Sequence, residues 1–425
     1  MNRTIATFQV DDIADFKQRM LSWANRFNIF LFLDSCGYNE KYASEDWIMA
    51  VDAVDQFSLD ERFFDAFQSW LNEKQDWVFG NINYDLKNEI EALSSAHPDQ
   101  IDFPVLFFFQ PKIIIRKKLE EIEVMAFDQQ PSEIVEQILQ TKHSQSQKLQ
   151  LNIRPKIQRS EYLNIIEQLR QHILRGDCYE INFCQEFFAE NATIDPLSVY
   201  QQLTTISSTP FAGFYKLNEK FLLCASPERF LKKSGNKIIS QPIKGTVKRD
   251  LNDGVVDDKL KQQLSDSQKD QSENVMVVDL VRNDLSRICK QASVHVEELY
   301  GIYSFPQVHQ MISTVVGEID PEISFADILK ATFPMGSMTG APKIRVMQLI
   351  EQYEQTKRGI YSGSIGYIDP QGDFDFNVVI RSIMYNATQQ YLSYQVGGGI
   401  TFYSDPEKEF EECLLKAEAI KKVLQ

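Results

Sequence analysis

The chain is 425 residues long and 43% hydrophobic, enough material for a large core built as two or three domain-sized units or one fused sandwich. Its 44 basic and 60 acidic residues leave a formal net charge of −16. That charge repels polyanions, sets aside nucleic acid and anionic membranes as main partners, and requires a local cluster of cations wherever an anionic substrate binds. No apolar window reaches the ~18 residues of a membrane span, and Met1 to Asp12 has no signal-like apolar core, so a cytoplasmic location is expected. The cysteines (Cys36, Cys178, Cys184, Cys224, Cys289, Cys413) form no CxxC pair and read as reduced thiols. The histidines (His97, His143, His172, His295, His309) form no constellation for zinc or for a Ser-His-Asp triad.

In chain order, Ile29 to Leu33 and Val105 to Phe109 read as strands and Asp60 to Leu71 as an amphipathic helix. A short helical pattern opens near Pro131, and the polar stretch Thr141 to Gln150 has no apolar periodicity. These features divide the chain into an N-terminal region 1–130, a linker 131–150 and a second half 151–425. That half opens with a helix signalled by Ser160, with Leu163, Ile166, Leu169 and Ile173 at helical spacing until Gly176. Phe211 to Lys216, Phe221 to Cys224 and Lys237 to Ser240 are short strands, and the hairpin signal Ser234-Gly235-Asn236 favours antiparallel pairing. Helices are predicted from Glu273 to Cys289 and from near Gly340 to Tyr353, with Pro342 in the first turn. Two long strands follow, Asn377 to Met384 and Tyr391 to Val396, and a last helix runs from Asp405 to the end.

The last helix carries the densest chemical signal. Glu409, Glu412 and Lys416 are three and four residues apart and share one face. Alone, such a stripe is an ordinary salt-bridged surface. The run Gly397, Gly398, Gly399 at the end of the preceding strand, however, leaves backbone N–H groups open to an anion. Asp270 and Glu273 offer hard oxygens of the kind Mg²⁺ takes in small number, while Asp279, Arg282 and Asp284 read as internal ion pairs and caps. Lys244 ends a strand beside Gly245. A lysine desolvated near another cation can lose its proton and become a nucleophile, and Glu228 is a candidate to move protons for it.

Six segments occur together and in order: SPERF at Ser226 to Phe230, PIKGT at Pro242 to Thr246, DLVRNDL at Asp279 to Leu285, GSMTGAPK at Gly336 to Lys343, YSGSIGY at Tyr361 to Tyr367 and GGGI at Gly397 to Ile400. From about Ser160 to Leu424 the chain resembles the chorismate-utilising enzymes, and within them the large components of aminodeoxychorismate synthases, sisters to those of anthranilate synthases. Lys244 makes the distinction, since anthranilate synthases typically carry alanine there. The resemblance implies an α+β fold: two antiparallel β-sheets packed face to face, helices outside, the first half intertwined with the second.

It also implies a transaminating transferase converting chorismate to 4-amino-4-deoxychorismate for 4-aminobenzoate and folate synthesis. By the same resemblance, Lys244 attacks C2 as the C4 hydroxyl leaves, ammonia then attacks C4 and expels the enzyme amine, and Glu228 serves as general acid and base. Mg²⁺ is implied on Glu273 and Glu412, with Glu409 and Asp270 one turn away as outer-shell helpers. Arg381, Lys416, Tyr361, Thr339 and the backbone of Gly397, Gly398 and Gly399 match positions that hold the two carboxylates of chorismate. Gln310 stands where many relatives have histidine, and His309 would point elsewhere. Leu33, Asp34 and Ser35 fall in the region that in some relatives binds tryptophan, and no ligand is assigned to it here.

No glutaminase signature occurs in the sequence. Ammonia is therefore expected from a separate glutamine amidotransferase subunit, and a separate lyase is expected to process the product. The competing readings are anthranilate synthase component I, an isochorismate or salicylate synthase, in which water rather than a lysine would attack, and, from another class, a catalytically silent chorismate-binding subunit.

Overall fold

The computed structural model describes residues 3–38, 41–58, 64–143 and 151–425. Among these residues twenty strands form one hydrogen-bonded network in which every pairing is antiparallel. Two layers diverge from the strand Leu106–Lys118. At Leu106 to Phe109 that strand has Val78–Ile82 on one side and Trp47–Ser58 on the other. One layer continues through Ile29–Asp34, Phe211–Leu217, Lys220–Ser226, Ser382–Asn386 and Tyr391–Ile400 to Glu180–Ala189. The other continues through Ser364–Ile368, Phe374–Asn377, Arg229–Ser234 and Lys237–Gln241 to Val308–Glu318. Leu31, Tyr215, Leu222 and Met384 of the first layer share a core with Phe230, Ile238, Val315 and Phe376 of the second. The expected two antiparallel layers are therefore present, joined through a shared strand.

The N-terminal strands are built into the C-terminal layers: Ile29–Asp34 pairs with Phe211–Leu217, and Val78–Ile82 with Ser364–Ile368. Pro131–Gln140, assigned from sequence to the linker, is a helix that buries Ile134, Val135 and Ile138; Trp23 Nε1 donates to its Gln137 at 3.2 Å. Residues 144–150 of that linker lie outside the described residues. The helix predicted from Asp60 is observed as Phe64–Lys74; its predicted first residues, 60–63, are likewise outside them.

Two predicted elements differ in ways that shape the site. The single strand expected over Asn377 to Met384 is two, Phe374–Asn377 and Ser382–Asn386, because the intervening backbone turns out of the ladder and Arg381 adopts a left-handed φ of 50°. The strand expected to stop at Val396 continues through the glycines to Ile400, since Gly397, Gly398 and Gly399 pair with Cys184, Phe183 and Asn182. Smaller shifts occur elsewhere. Pro342 caps the helix Lys343–Tyr353 rather than lying inside it, and the last helix is divided into Pro406–Lys416 and Glu418–Leu424. All six cysteines are free. Among the described residues no helix is long and apolar enough to cross a membrane.

Candidate active site

A cleft of about 880 Å³ gathers most of the singled-out residues: Glu228, Lys244, Glu273, Tyr361, Arg381, Gly397, Gly398, Gly399, Glu412 and Lys416. Lys244 enters from the strand Ile243–Lys248, whose register against Val308–Glu318 slips between Ile243 and Thr246. Gly245 takes a left-handed φ of +89° within that slip, and a Cβ there would lie 3.0 Å from Asp270. A bulge of this kind re-aims the neighbouring side chain, here placing the lysine in the cleft with 8% exposure.

A lysine buried beside another cation can lose its proton, but the neighbours of Lys244 here are carboxylates. Burial does push the ammonium's pKa down, but the carboxylates of Glu180 and Glu273 and, more weakly, Glu228 outweigh it, and the net shift is upward. Glu180, a residue the sequence reading passed over, accepts a hydrogen bond from Lys244 Nζ. Glu228 itself is pushed up to about 7 by burial, against the opposing pull of Ser337 and Lys244. Glu273 reaches about 7 for the same first reason, with Lys244 and Lys269 opposing.

The acidic residues come from two helices. Glu273 lies on Gln268–Ser286, and Glu409 and Glu412 on Pro406–Lys416. Lys269 stands between them, 3.7 Å from Glu273 and 3.4 Å from Glu409. Among the described residues no three acidic, histidine or cysteine side chains converge into a ready-made metal cage. The donor set is nonetheless one that suits a hard cation: Glu273 Oε1 is buried without a hydrogen-bond partner, and Lys269 already places a positive charge between the two helices. Lys416 donates to Gly397 O at 3.0 Å and pairs with Glu412 at 2.8 Å, holding that carboxylate below its usual range.

Arg381 supplies the contrasting charge. Its backbone break is held by Val378 N donating to Glu228 O at 3.0 Å and Ala225 N to Arg381 O at 3.3 Å. Among the described residues no carboxylate pairs with its guanidinium, which burial lowers to about 10. A half-buried guanidinium with no carboxylate partner is a receptor for an anion. A second cleft of about 860 Å³ shares Thr246, Arg381, Glu412 and Lys416 and adds Lys248, Arg249, Lys422 and Glu418, which pairs with both lysines, so cations still outnumber carboxylates on the approach to Arg381.

Thr339 departs from the expected arrangement. It is fully buried and absent from the cleft lining; its hydroxyl donates to Met335 O at 3.1 Å while its carbonyl accepts from Asn182 N at 2.7 Å. Asn182 itself lines the cleft and donates to Ser337 O at 2.8 Å. Beneath this floor Arg358 binds Glu354 at 2.6 Å and donates to the carbonyls of Met338 and Asn182. Gln310 faces the cleft, its amide 3.4 Å from Thr246 Oγ1. His309 points the other way, to Asp257 at 3.0 Å and Ser304 at 2.8 Å. Asp279 and Asp284 are structural: they pair with Arg282 at 2.8 Å and Lys343 at 2.6 Å. Leu33, Asp34 and Ser35 line a separate cavity of about 550 Å³ with Tyr38, Arg229 and Asp375.

Layered antiparallel sheets around a cleft with this lysine, arginine and carboxylate set accord with the sequence match: residues 28–422 fit the profile of the chorismate binding enzyme family, and the chain belongs to it. It is 34% identical over 346 residues to the aminodeoxychorismate synthase component 1 of Klebsiella aerogenes, covering 81% of this chain and 76% of that protein. It is 34% identical over 355 residues to an anthranilate synthase component I-like protein of Synechocystis, covering 82% and 72%. Against the chloroplastic aminodeoxychorismate synthase of Arabidopsis thaliana, also at 34% identity, the match spans 80% of this chain but only 39% of that longer protein. Anthranilate synthase component I from Streptococcus pneumoniae superposes with a TM-score of 0.78 at 26% identity over 91% of this chain and 94% of that one. The menaquinone-specific isochorismate synthase of Escherichia coli shares the fold, with a TM-score of 0.79 at 18% identity over 100% and 95%.

Proposed function

We propose that the chain is the chorismate-aminating component of an aminodeoxychorismate synthase, replacing the C4 hydroxyl of chorismate by ammonia from a separate glutaminase subunit. The observation that carries this reading is Lys244: a buried lysine in a cleft that also holds Arg381, a guanidinium with no carboxylate partner among the described residues. In this reading Arg381 and Lys416 hold the substrate carboxylates, and Tyr361 and the backbone of Gly397 to Gly399 shape the walls. Lys244 forms a bond to C2 as the C4 hydroxyl departs, and ammonia then displaces the lysine from C4's side of the diene, so that one hard substitution becomes two easier ones. Glu228, held near neutrality, gives a proton to the leaving hydroxyl and later takes one from the new amine.

Glu273, Glu412 and Glu409 would hold Mg²⁺, which when bound neutralises a substrate carboxylate and fixes the ring. The product keeps its enolpyruvyl group, so a separate lyase would complete the route to 4-aminobenzoate. Gln310 in place of an imidazole supports amination without pyruvate loss, because it has no titratable proton to offer an elimination.

The test is product analysis by mass spectrometry after incubating the purified chain with chorismate, Mg²⁺ and a high concentration of an ammonium salt, with pyruvate assayed in parallel. An aminated product retaining its enolpyruvyl group, with no pyruvate, is expected. Anthranilate with stoichiometric pyruvate would replace this reading by anthranilate synthesis. Absence of turnover, with unchanged chorismate binding in K244A, would replace it by a silent binding subunit.

A further inference from the structure

One buried carboxylate beside the cleft lysine has no task in the chemistry above. Glu180 opens the strand Glu180–Ala189 and is 2% exposed. Its Oε1 accepts from the Lys244 ammonium, and its Oε2 is buried with no hydrogen-bond partner among the described residues. Buried carboxylates ordinarily satisfy both oxygens, and an orphaned one is a cost that structure alone does not return. The pair fits only because a glycine lies against it: a Cβ on Gly399 would stand 2.6 Å from Lys244 Nζ and 2.6 Å from Glu180 Oε1.

An ammonium has no lone pair and cannot attack carbon. Lys244 rests among three carboxylates, so its attack requires an acceptor for one proton within reach of Nζ. Glu228 is committed in the opposite sense, to give a proton to the departing hydroxyl. We propose that Glu180 is the base that takes the proton from Lys244 Nζ, keeps it while the covalent adduct exists, and returns it when the lysine is released. This rests on the reading of Lys244 as nucleophile.

The steps balance. A proton passes from Nζ to Glu180 Oε1, the freed electron pair forms the N–C2 bond, the ring diene shifts and the C4–O bond breaks. The hydroxyl leaves as water with the proton of Glu228. Ammonia then forms the C4–N bond, the diene shifts back and the C2–N electron pair returns to Nζ. The new C4 ammonium gives its extra proton to Glu228, and Glu180 returns its own to Nζ. One ammonia enters, one water leaves, and nothing is oxidised or reduced.

The experiment compares wild type with E180Q, E180D and K244A in thermal melting, chorismate titration by intrinsic fluorescence, ammonia-dependent turnover and mass-spectrometric detection of an adduct on Lys244. E180Q keeps the shape and the hydrogen bond but not the base. It is expected to bind chorismate within about twofold of wild type and to lose on the order of 10² to 10⁴ in kcat, with adduct formation slowed in parallel. E180D, which keeps the acid, is expected to retain more turnover than E180Q, and it carries the test if E180Q melts early. Wild-type turnover in E180Q with K244A inactive would overturn the role of Glu180 and leave Lys244 standing, as would equal losses in E180Q and E180D. Wild-type turnover in K244A would instead remove the reading on which the proposal rests.

Discussion

Gly399 marks how closely the backbone approaches the two groups proposed to exchange a proton. With its would-be Cβ 2.6 Å from both Lys244 Nζ and Glu180 Oε1, G399A must displace both of them. A shift of that size typically costs about 10²-fold in rate. Steady-state kinetics beside a melting curve should show kcat falling by that order while the fold survives; unchanged kcat would mean that the pair is not where the chemistry occurs. Glu228 offers a second test. Its carboxyl ionises at about 7 in the folded chain against a usual 4.5, so between those values the folded state holds a proton that the unfolded state has lost. Stability therefore falls as pH rises across that window. E228Q, which cannot ionise, should be inactive yet gain on the wild type from pH 4.5 upward, levelling above about 7 at up to ~3 kcal/mol. Denaturant unfolding at both ends of the range measures it, and a pH-independent difference would sink it. Of the cleft, Lys244, Glu228, Glu412 and Lys416 were legible because each sits in a distinctive local string or stripe; Glu273 was read only as a hard oxygen beside Asp270, and Arg381 entered only through the family resemblance. Glu180 and Lys269 were not. In strand Glu180–Ala189 the alternation Glu180, Asn182, Cys184 puts one polar face where both faces prove buried, a signal visible only once the closing partner Tyr391–Ile400 is in place.

At the scale of elements, periodicity located most helices and strands but could not see where a strand must break. Asn377 to Met384 is apolar enough to read as continuous, yet Val378 to Arg381 is drawn aside by Glu228 O and by Ser362 and Gly363, which exchange backbone hydrogen bonds with Val379 at 2.9 Å. Those partners are remote in sequence, so no local pattern encodes the break that delivers Arg381. Replacing Arg381 by Lys, which keeps the charge but loses the fork, should raise KM for chorismate roughly tenfold or more with little change in kcat, since a hydrogen bond to a charged group contributes about 1.5–3 kcal/mol. The helix Pro406–Lys416 depends on a local signal instead: Asp405 caps it, accepting from Glu407 N and Lys408 N at 3.1 Å each. D405A should lower stability by about 1 kcal/mol. Because Glu409, Glu412 and Lys416 ride on that helix, it should also raise the Mg²⁺ concentration needed for half-maximal turnover. A Mg²⁺ titration identical to wild type would separate the helix from the cation.

For the whole molecule, the division into 1–130, 131–150 and 151–425 describes the motifs better than it describes the structure. Motifs record chemistry, whereas the layers are completed by strands that carry none: Ile29–Asp34 beside Phe211–Leu217, Val78–Ile82 beside Ser364–Ile368. Residues 151–425 expressed alone should therefore be insoluble or lack a cooperative unfolding transition, readable by circular dichroism. A soluble fragment with a sharp transition would show that the N-terminal strands are dispensable. The same interleaving has a consequence in time. On the ribosome Val78–Ile82 emerges early and pairs with Leu106–Lys118, but its other edge stays open until Ser364–Ile368 has been made. For most of synthesis the nascent chain thus carries apolar strands with unpaired edges, the condition in which chains aggregate or are held by chaperones. Yield in a cell should accordingly respond to slower translation and added holdase capacity more than to any single stabilising substitution in the finished fold.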